Sequence, residues 1–186
     1  RAEHTRERLA GIESFSIVLD SSIEGTFKNP RYLRDVESVQ QYLDSIEGID
    51  KTVSFADFVK MTHHVMEGTS NPQLPLEDDL VQIYMEFVQF DAVAPYVTQD
   101  YSKTRIVVRH HIAQSTELER VFEDIEQFFQ RDLKSSLKLT LTGDSVLNNR
   151  AADAMAWGQF QSLLLMLLVA VLTIALHAPL ARRQAK

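Results

Sequence analysis

The most constraining feature of the sequence is an apolar run close to its C-terminus. Between Asp153 and Arg182 there is no Asp, Glu, Lys or Arg. A helix crosses the roughly 30 Å hydrocarbon core of a bilayer in about 20 residues, and residues 157–176 supply that length. A long helix of a soluble core is the alternative, but it would show a polar face that is missing after Ser162. The run therefore predicts one transmembrane helix with its lead-in over residues 148–177.

The charges that flank this run predict its orientation. Arg182, Arg183 and Lys186 follow it, whereas only Arg150 lies close before it. Basic residues are enriched on the cytoplasmic side of a span. We therefore expect residues 178–186 to form a cytoplasmic basic tail. Residues 1–153 would then lie outside the cytoplasm.

Composition limits the partners and the chemistry of the chain. The formal net charge is −7, and we expect no nucleic-acid partner because phosphate binding needs clustered Lys and Arg. The sequence contains no cysteine, which excludes disulfides and thiolate metal sites. The chain begins with Arg1 and shows no apolar signal segment at its start. We expect it to be a piece of a longer protein, with residues 1–13 as a lead-in from an upstream segment.

Apolar periodicity predicts four strands and four helices between residues 14 and 147. Alternation of apolar and polar residues predicts the strands, at residues 14–19, 49–54, 104–112 and 137–141. Apolar residues three and four positions apart predict the helices, at residues 31–46, 55–66, 76–90 and 117–133. Asn29 and Pro30 are a helix N-cap and first helical residue, and residues 116–119 match a capping box.

The order of these elements predicts an α+β fold. Two strand–helix–strand crossovers fold most simply as a split βαβ (ferredoxin-like) sandwich, with a four-stranded antiparallel sheet and both crossover helices on one face. Residues 55–90 are extra to that plan and form a helical insertion. We expect the insertion to cover one end of the sheet and to expose apolar surface, with a stripe on its second helix made by Leu76, Leu80, Ile83, Phe87 and Phe90.

The sequence contains few patterns that indicate a catalytic, metal-binding or phosphate-binding site. The histidine pairs at 63–64 and 110–111 are neighbours, which diverge on a helix and point to opposite faces on a strand, so neither pair has the spacing of a zinc helix. Acidic clusters at 77–79 and 123–124 are explained by helix-start charge and a solvated face. No phosphate loop, nucleophile elbow or Ser/His/Asp grouping is present. We expect no catalytic residue, no cofactor and no metal site, and therefore no enzyme.

An ordered set of segments resembles the RND superfamily of exporters, specifically the MMPL and Patched-like exporters of hydrophobes or lipids. The resemblance extends over nearly the whole chain, from about Leu9 to Leu176. The last matching segment contains two glutamines and lies at the start of the apolar run. The matching segments are ESFSIVL (13–19), FKNPR (27–31), GIDKTVSFAD (48–57), LP (74–75), LVQIY (80–84), YSKTRIVVR (101–109), LTLTG (139–143) and GQFQSLLL (158–165).

The resemblance implies a porter-type domain outside the cytoplasm, over residues 14–147, and the membrane helix that follows it. It further implies proton-driven export of a hydrophobic or lipid-like substrate across a bacterial inner membrane. The partners would be the rest of the transporter polypeptide and the lipid bilayer, and a homo-oligomer is left open. The chain departs from the family where it stops at Lys186 instead of continuing into another span.

The insertion carries the candidate substrate groove. Phe58, Tyr84 and Phe87 are aromatic residues beyond what its helices need, and we expect them to line or border an apolar groove for cargo. The alternative is that they only pack the two inserted helices together. Two other functions stay open at this point, a stand-alone single-span binding or sensor domain and a membrane-anchored enzyme.

Overall fold

The computed structural model describes residues 13–133, 135–143, 146, 155 and 157–169. The chain divides into two compact units, Arg1–Val146 and Leu147–Lys186.

The first unit has an α+β fold built on a four-stranded antiparallel sheet. Its strands are β1 (Glu13–Asp20), β2 (Ile49–Val53), β3 (Lys103–His110) and β4 (Lys138–Thr142). They lie in the order β2-β3-β1-β4, and every neighbouring pair is antiparallel. The four predicted strands are confirmed, each to within about two residues at either end. The α+β class is confirmed with them.

One face of the sheet forms the core of this unit. Phe15, Ile17 and Leu19 alternate along β1 and are fully buried. Ile17 lies opposite Ile106 of β3 and Leu141 of β4, so the apolar positions of three strands meet on the same face. A period of two residues places every second side chain of a strand on one side, and the buried alternation follows from it.

Two helices cover that face. Helix α1 (Pro30–Asp44) begins as predicted, because the Asn29 side chain accepts a hydrogen bond from the backbone N–H of Arg31 at 2.8 Å and Pro30 is the first helical residue. The other covering helix is α5 (Ser115–Phe128), the last helix of this unit before β4. It continues into a π-helical turn at Phe129–Leu133. The stacked rings of Tyr42 and Phe128, 4.1 Å apart, join the two helices.

The apolar face of α5 is buried as predicted, but its start is not capped as predicted. Leu118, Phe122 and Ile125 are buried, and the ring of Phe122 meets Phe15 edge-on at 5.1 Å. The N-cap residue is Gln114, with no side-chain cap hydrogen bond. The predicted capping box at residues 116–119 is therefore wrong, because the helix begins at Ser115 and places Thr116 inside its first turn.

Between β2 and β3 the chain forms three further helices. They are α2 (Phe55–Glu67), α3 (Leu80–Phe87) and α4 (Phe90–Val93). The predicted single helix over residues 76–90 is wrong in extent, since the backbone of Val88 is extended and separates α3 from α4. The predicted apolar stripe is not the side of α3 that the fold buries. Val81 and Tyr84 are the buried residues of α3, whereas Leu76 is 82% exposed and Phe87 is 71% exposed.

The segment before β3 closes against the loop after β1. The backbone N–H of Gly25 donates to the carbonyl of Asp100 at 2.8 Å, and that of Phe27 donates to the carbonyl of Tyr101 at 3.0 Å. The Asp100 carboxylate accepts from the Thr98 hydroxyl at 2.6 Å. The hydrogen bond from Thr98, followed by that from the Ser102 N–H, lowers the pKa of Asp100 from 3.8 to about 2.

In the second unit, the structure describes a helix over residues 157–169, and all of those residues are exposed. The rings of Trp157 and Phe160 stack at 5.7 Å, and the Ser162 hydroxyl donates to the Gly158 carbonyl at 2.9 Å. Across the part of the chain that is described, no helix reaches the length and apolar character needed to cross a membrane. Residues 170–176 of the predicted span, and the predicted tail over 178–186, lie outside the described residues.

Candidate functional site

The candidate site is an apolar groove between α2 and the end of α3, which we call the insertion groove. It encloses about 310 Å³. Val65 and Phe87 are 73% and 71% exposed, and Met61 is 55% exposed. Large apolar side chains left open side by side are typical of a binding surface rather than of a finished core. The groove is lined by Phe58, Met61, Thr62, Val65, Met66, Phe87 and Val88.

Helix α2 can form this groove because it is apolar on two sides. Its inner side buries Phe55, Ala56 and Val59 in the core of the first unit. Met61 and Val65, four residues apart, lie on its outer side and stay exposed. A helix that only covered the sheet would carry charged residues at these outer positions. The second apolar side of α2 is therefore available for something other than the fold.

A capping box fixes the start of α2. The Ser54 hydroxyl accepts from the N–H of Ala56 at 3.0 Å, and the Ser54 N–H donates to the carboxylate of Asp57 at 2.9 Å. This box satisfies backbone donors that the first turn leaves open. Gly68 ends the helix in the left-handed conformation, with φ of 64°. The outer side of α2 is thus held at a defined rotation.

A buried glutamine ties α2 to the sheet layer. The Gln40 amide donates to Asp57 at 2.7 Å and to Thr52 at 3.2 Å, and its carbonyl accepts from the Ser54 hydroxyl at 2.6 Å. Gln40 belongs to α1 and Thr52 to β2, so three elements meet at one side chain. Buried polar groups that are fully paired specify one arrangement of the chain. This network positions the base of the insertion.

Tyr84 lies beneath the surface and does not line the insertion groove. It is 2% exposed, and its hydroxyl lies 2.7 Å from Nδ1 of His63, within hydrogen-bond distance. Burial, followed by the charges of Glu67 and Glu77, raises the pKa of the Tyr84 hydroxyl. The pair of His63 and Tyr84 holds α3 against α2. Of the three residues proposed from sequence, the structure brings Phe58 and Phe87 to the groove and places Tyr84 in the packing between the helices.

A second, more polar pocket lies on the His63 side of the insertion. It encloses about 620 Å³ and is lined by His63, Glu67, Thr69, Gln73, Leu74, Leu76, Glu77 and Leu80. Among the described residues, no group of three or more His, Cys, Asp or Glu side chains could hold a metal ion. The histidine and the two glutamates of this pocket are therefore not placed to bind one metal ion together.

Among the described residues, His64, His110 and His111 serve local structure. The Nδ1 of His64 lies 3.2 Å from the Thr69 hydroxyl, and that of His111 lies 2.7 Å from the Asp50 carboxylate. His110 is buried with its ring 5.5 Å from that of Phe15, and burial lowers the pKa of its imidazole. Each of these histidines has a different neighbour, so the histidine pairs do not assemble into one site.

Sequence reasoning missed five of the seven residues that line the groove, among them Met61, Val65 and Met66. Met61 and Val65 are one helical turn apart and lie on the side of α2 opposite its core-facing side. This apolar spacing is the signal in the sequence that could have identified them. Apolar spacing is read first as a contact with the core, however, and only the position of α3 shows which side remains open.

Comparison with known proteins adds no assignment to these observations. A scan of the sequence against models of protein families finds no match, and a search of curated proteins finds no significant similarity.

Proposed function

We propose that this chain is part of an RND-type membrane exporter of the MMPL or Patched-like kind, and that the insertion groove handles an apolar or lipid-like cargo outside the cytoplasm. The observation that carries the proposal is the exposure of Met61, Val65 and Phe87 around one groove. Monomeric soluble proteins seldom leave such a group of large apolar side chains open without a binding role.

The strand order supports the porter-type fold within this proposal. Helix α1 connects β1 to β2, and α5 connects β3 to β4, while β3 lies between β2 and β1. This connection pattern corresponds to the split βαβ plan that the sequence predicts. The helical insertion between β2 and β3 would be the feature that distinguishes this domain from a simple split βαβ fold.

The proposed membrane helix rests on the sequence. Residues 154–181 carry no Asp, Glu, Lys or Arg, and Arg182, Arg183 and Lys186 follow them. A span at residues 157–176, with the basic residues in the cytoplasm, would leave the insertion groove outside. The proton-driven step would belong to other helices of the same polypeptide, and the chain described here would take the role of cargo handling.

The chemistry of the groove favours an uncharged hydrocarbon group as cargo. Six of its seven lining residues are apolar, and Thr62, the seventh, donates its hydroxyl to the carbonyl of Phe58 at 2.9 Å. A ligand would therefore gain affinity from apolar burial, at roughly 25 cal/mol per Å² of surface removed from water. Met61 and Met66 add unbranched, polarizable side chains, which adapt to different apolar shapes. The groove suits an acyl chain or a similar flexible hydrophobe.

The test is export by the full-length transporter carrying Phe58→Ser and Phe87→Ser. We expect export to fall in the double variant. Phe87→Ser alone should lower export with a melting temperature close to that of the wild type, because Phe87 is mostly exposed, whereas Phe58→Ser should also lower the melting temperature, because Phe58 is half-buried against the core. Ile23→Ser is the matched control, since Ile23 is also exposed and apolar but lies outside the groove. Unchanged export in the double variant, or an equal loss in the control, would refute the assignment of the groove.

A further inference from the structure

The face of the sheet away from α1 and α5 is strongly basic; we call it the outer sheet face. It carries the side chains that alternate with the core positions, and those at its centre, Val18 and Val107, are half-buried. Residues 94–99 border it beside Val18 and Arg105. Its charged residues are five bases and two carboxylates, which are Lys51, Lys103, Arg105, Arg109, Lys138, Asp20 and Asp50.

The strand register brings these charges together. Arg109 lies opposite Lys51 of β2, and Arg105 lies opposite Val18 of β1. Both carboxylates of the face have partners, since Asp20 pairs with Lys103 at 2.9 Å and Asp50 lies 2.7 Å from Nδ1 of His111. Lys51, Arg105 and Arg109 are exposed, and none of them forms an ion pair with a described residue. Like charges across neighbouring strands repel each other, so this face is left electrostatically unbalanced.

The opposite charge pattern occurs on α5. This helix carries five acids and one base, Arg120, within Ser115–Phe128. Glu123, Asp124 and Glu126 are exposed. The helix turns its apolar side to the core, so its acidic side faces away from the sheet that it covers. The acids of α5 are Glu117, Glu119, Glu123, Asp124 and Glu126.

We propose that the outer sheet face of one copy binds the acidic side of α5 from a second copy of this chain. The charges are opposite in sign, five bases and two acids on the sheet face against five acids and one base on the helix. Two outer sheet faces cannot pair with each other, because that contact would place basic side chains against basic side chains. The contact is therefore head-to-tail, and each copy offers both halves of it.

The size of the face makes this a weak contact. Four strands about 4.8 Å apart, with about five residues each at 3.4 Å, give a face on the order of 300–400 Å². Stable interfaces bury about 800 Å² on each partner. The association is therefore transient and controlled by charge, and it needs a high local concentration of the chain. It does not depend on the function proposed above.

The absence of cysteine from the sequence allows a direct test by disulfide trapping. One full-length chain carries Thr140→Cys on the outer sheet face, and another carries Gln127→Cys on the acidic side of α5; both positions are exposed. We expect the two chains to form a mixed disulfide. Its yield should fall about tenfold between about 0.1 M and 1 M NaCl, because the screening length shortens from about 10 Å to 3 Å. Ser70→Cys, in an exposed loop, measures random collisions.

Charge reversal decides whether complementarity is the cause. Arg105→Glu with Arg109→Glu should abolish trapping, and so should Glu123→Lys with Glu126→Lys, when each pair is present in both chains. A mixture of the two reversed chains should restore trapping, since the acidic sheet face of one then meets the basic helix of the other. Equal melting temperatures confirm that these surface changes leave the fold intact. Trapping no stronger than with Ser70→Cys, trapping that ignores charge reversal, or equal trapping between two Thr140→Cys chains would overturn the proposal.

Discussion

The sheet layer and the insertion use apolar side chains differently. Helices α1 and α5 each bury one apolar side against the sheet. Helix α2 buries one apolar side and leaves a second one open, with Met61 and Val65 more than half exposed. Burial explains the first arrangement completely, whereas the second leaves apolar surface in water at a cost in free energy. The comparison indicates that the insertion is shaped by something besides the stability of the fold.

The largest expected contrast is between two phenylalanines. Phe122 of α5 is 5% exposed and packs against Phe15, so Phe122→Ala should lower the free energy of unfolding by about 3–5 kcal/mol. Phe87 of α3 is mostly exposed, and Phe87→Ala should change it by less than about 0.5 kcal/mol. Chemical denaturation of both variants measures the difference. Equal losses would mean that the insertion is part of the same core and would break the comparison.

The next effect concerns the link between the two regions. Gln40→Leu leaves the buried Ser54 hydroxyl without its acceptor and removes one of the donors to Asp57, and an unsatisfied buried polar group costs about 1–3 kcal/mol. Because Gln40 lies at the base of α2, we expect amide hydrogen exchange to quicken in α2 more than in α5. Exchange followed residue by residue tests this, and uniform quickening would assign Gln40 to the sheet layer alone.

A smaller effect is expected inside the insertion. Tyr84→Phe keeps the ring but removes the hydroxyl that contacts His63, which should lower the free energy of unfolding by about 0.5–1.5 kcal/mol. Export by the full-length transporter should stay unchanged, because Tyr84 lies under the groove and not in it. Loss of export at an unchanged melting temperature would instead indicate that Tyr84 contacts the cargo.

The smallest effect is a dependence on pH in the segment that precedes β3. Folding depresses the pKa of Asp100 to about 2, so this carboxylate stabilises the folded state above its unfolded pKa of 3.8. That contribution is lost as the pH falls from 3.8 towards about 2. Asp100→Asn should therefore melt below the wild type at neutral pH, and the two melting temperatures should converge in that acidic range. A gap that stays constant down to pH of about 2 would exclude the carboxylate as its source.

Sequence patterns were sufficient for the sheet layer because its signals are local. Alternation along β1 and β3 places Phe15 and Ile106 on the buried face without reference to the rest of the chain. The cap formed by Asn29 and Pro30 is equally local, and it marks the start of α1. The capping box forms at Ser54, although Asp57 stands where the pattern has Glu or Gln, whereas residues 116–119 match the pattern and form no cap.

The insertion was harder to predict because its arrangement depends on contacts between elements. Leu76, Ile83 and Phe87 share a helical spacing, yet Val81 and Tyr84 are the residues that α3 buries. Which side of a short helix turns inward is decided by its neighbours, here through the contact of Tyr84 with His63. The exposure of Met61 and Val65 could not be predicted for the same reason. It depends on where α3 ends relative to α2.

The proposed binding of an apolar ligand in the insertion groove can be observed directly at the methionine methyl groups. The sequence has five methionines, of which Met61 and Met66 line the groove, while Met85 is partly buried outside it. With the full chain held in amphipol and labelled at its methionine methyls, 1-decanol can be titrated while the NMR signals are followed. Our account predicts saturable shifts at Met61 and Met66 and none at Met85, and weaker shifts when Phe87→Ser is introduced. No shift at Met61 and Met66, or the same shift at Met85, would contradict it.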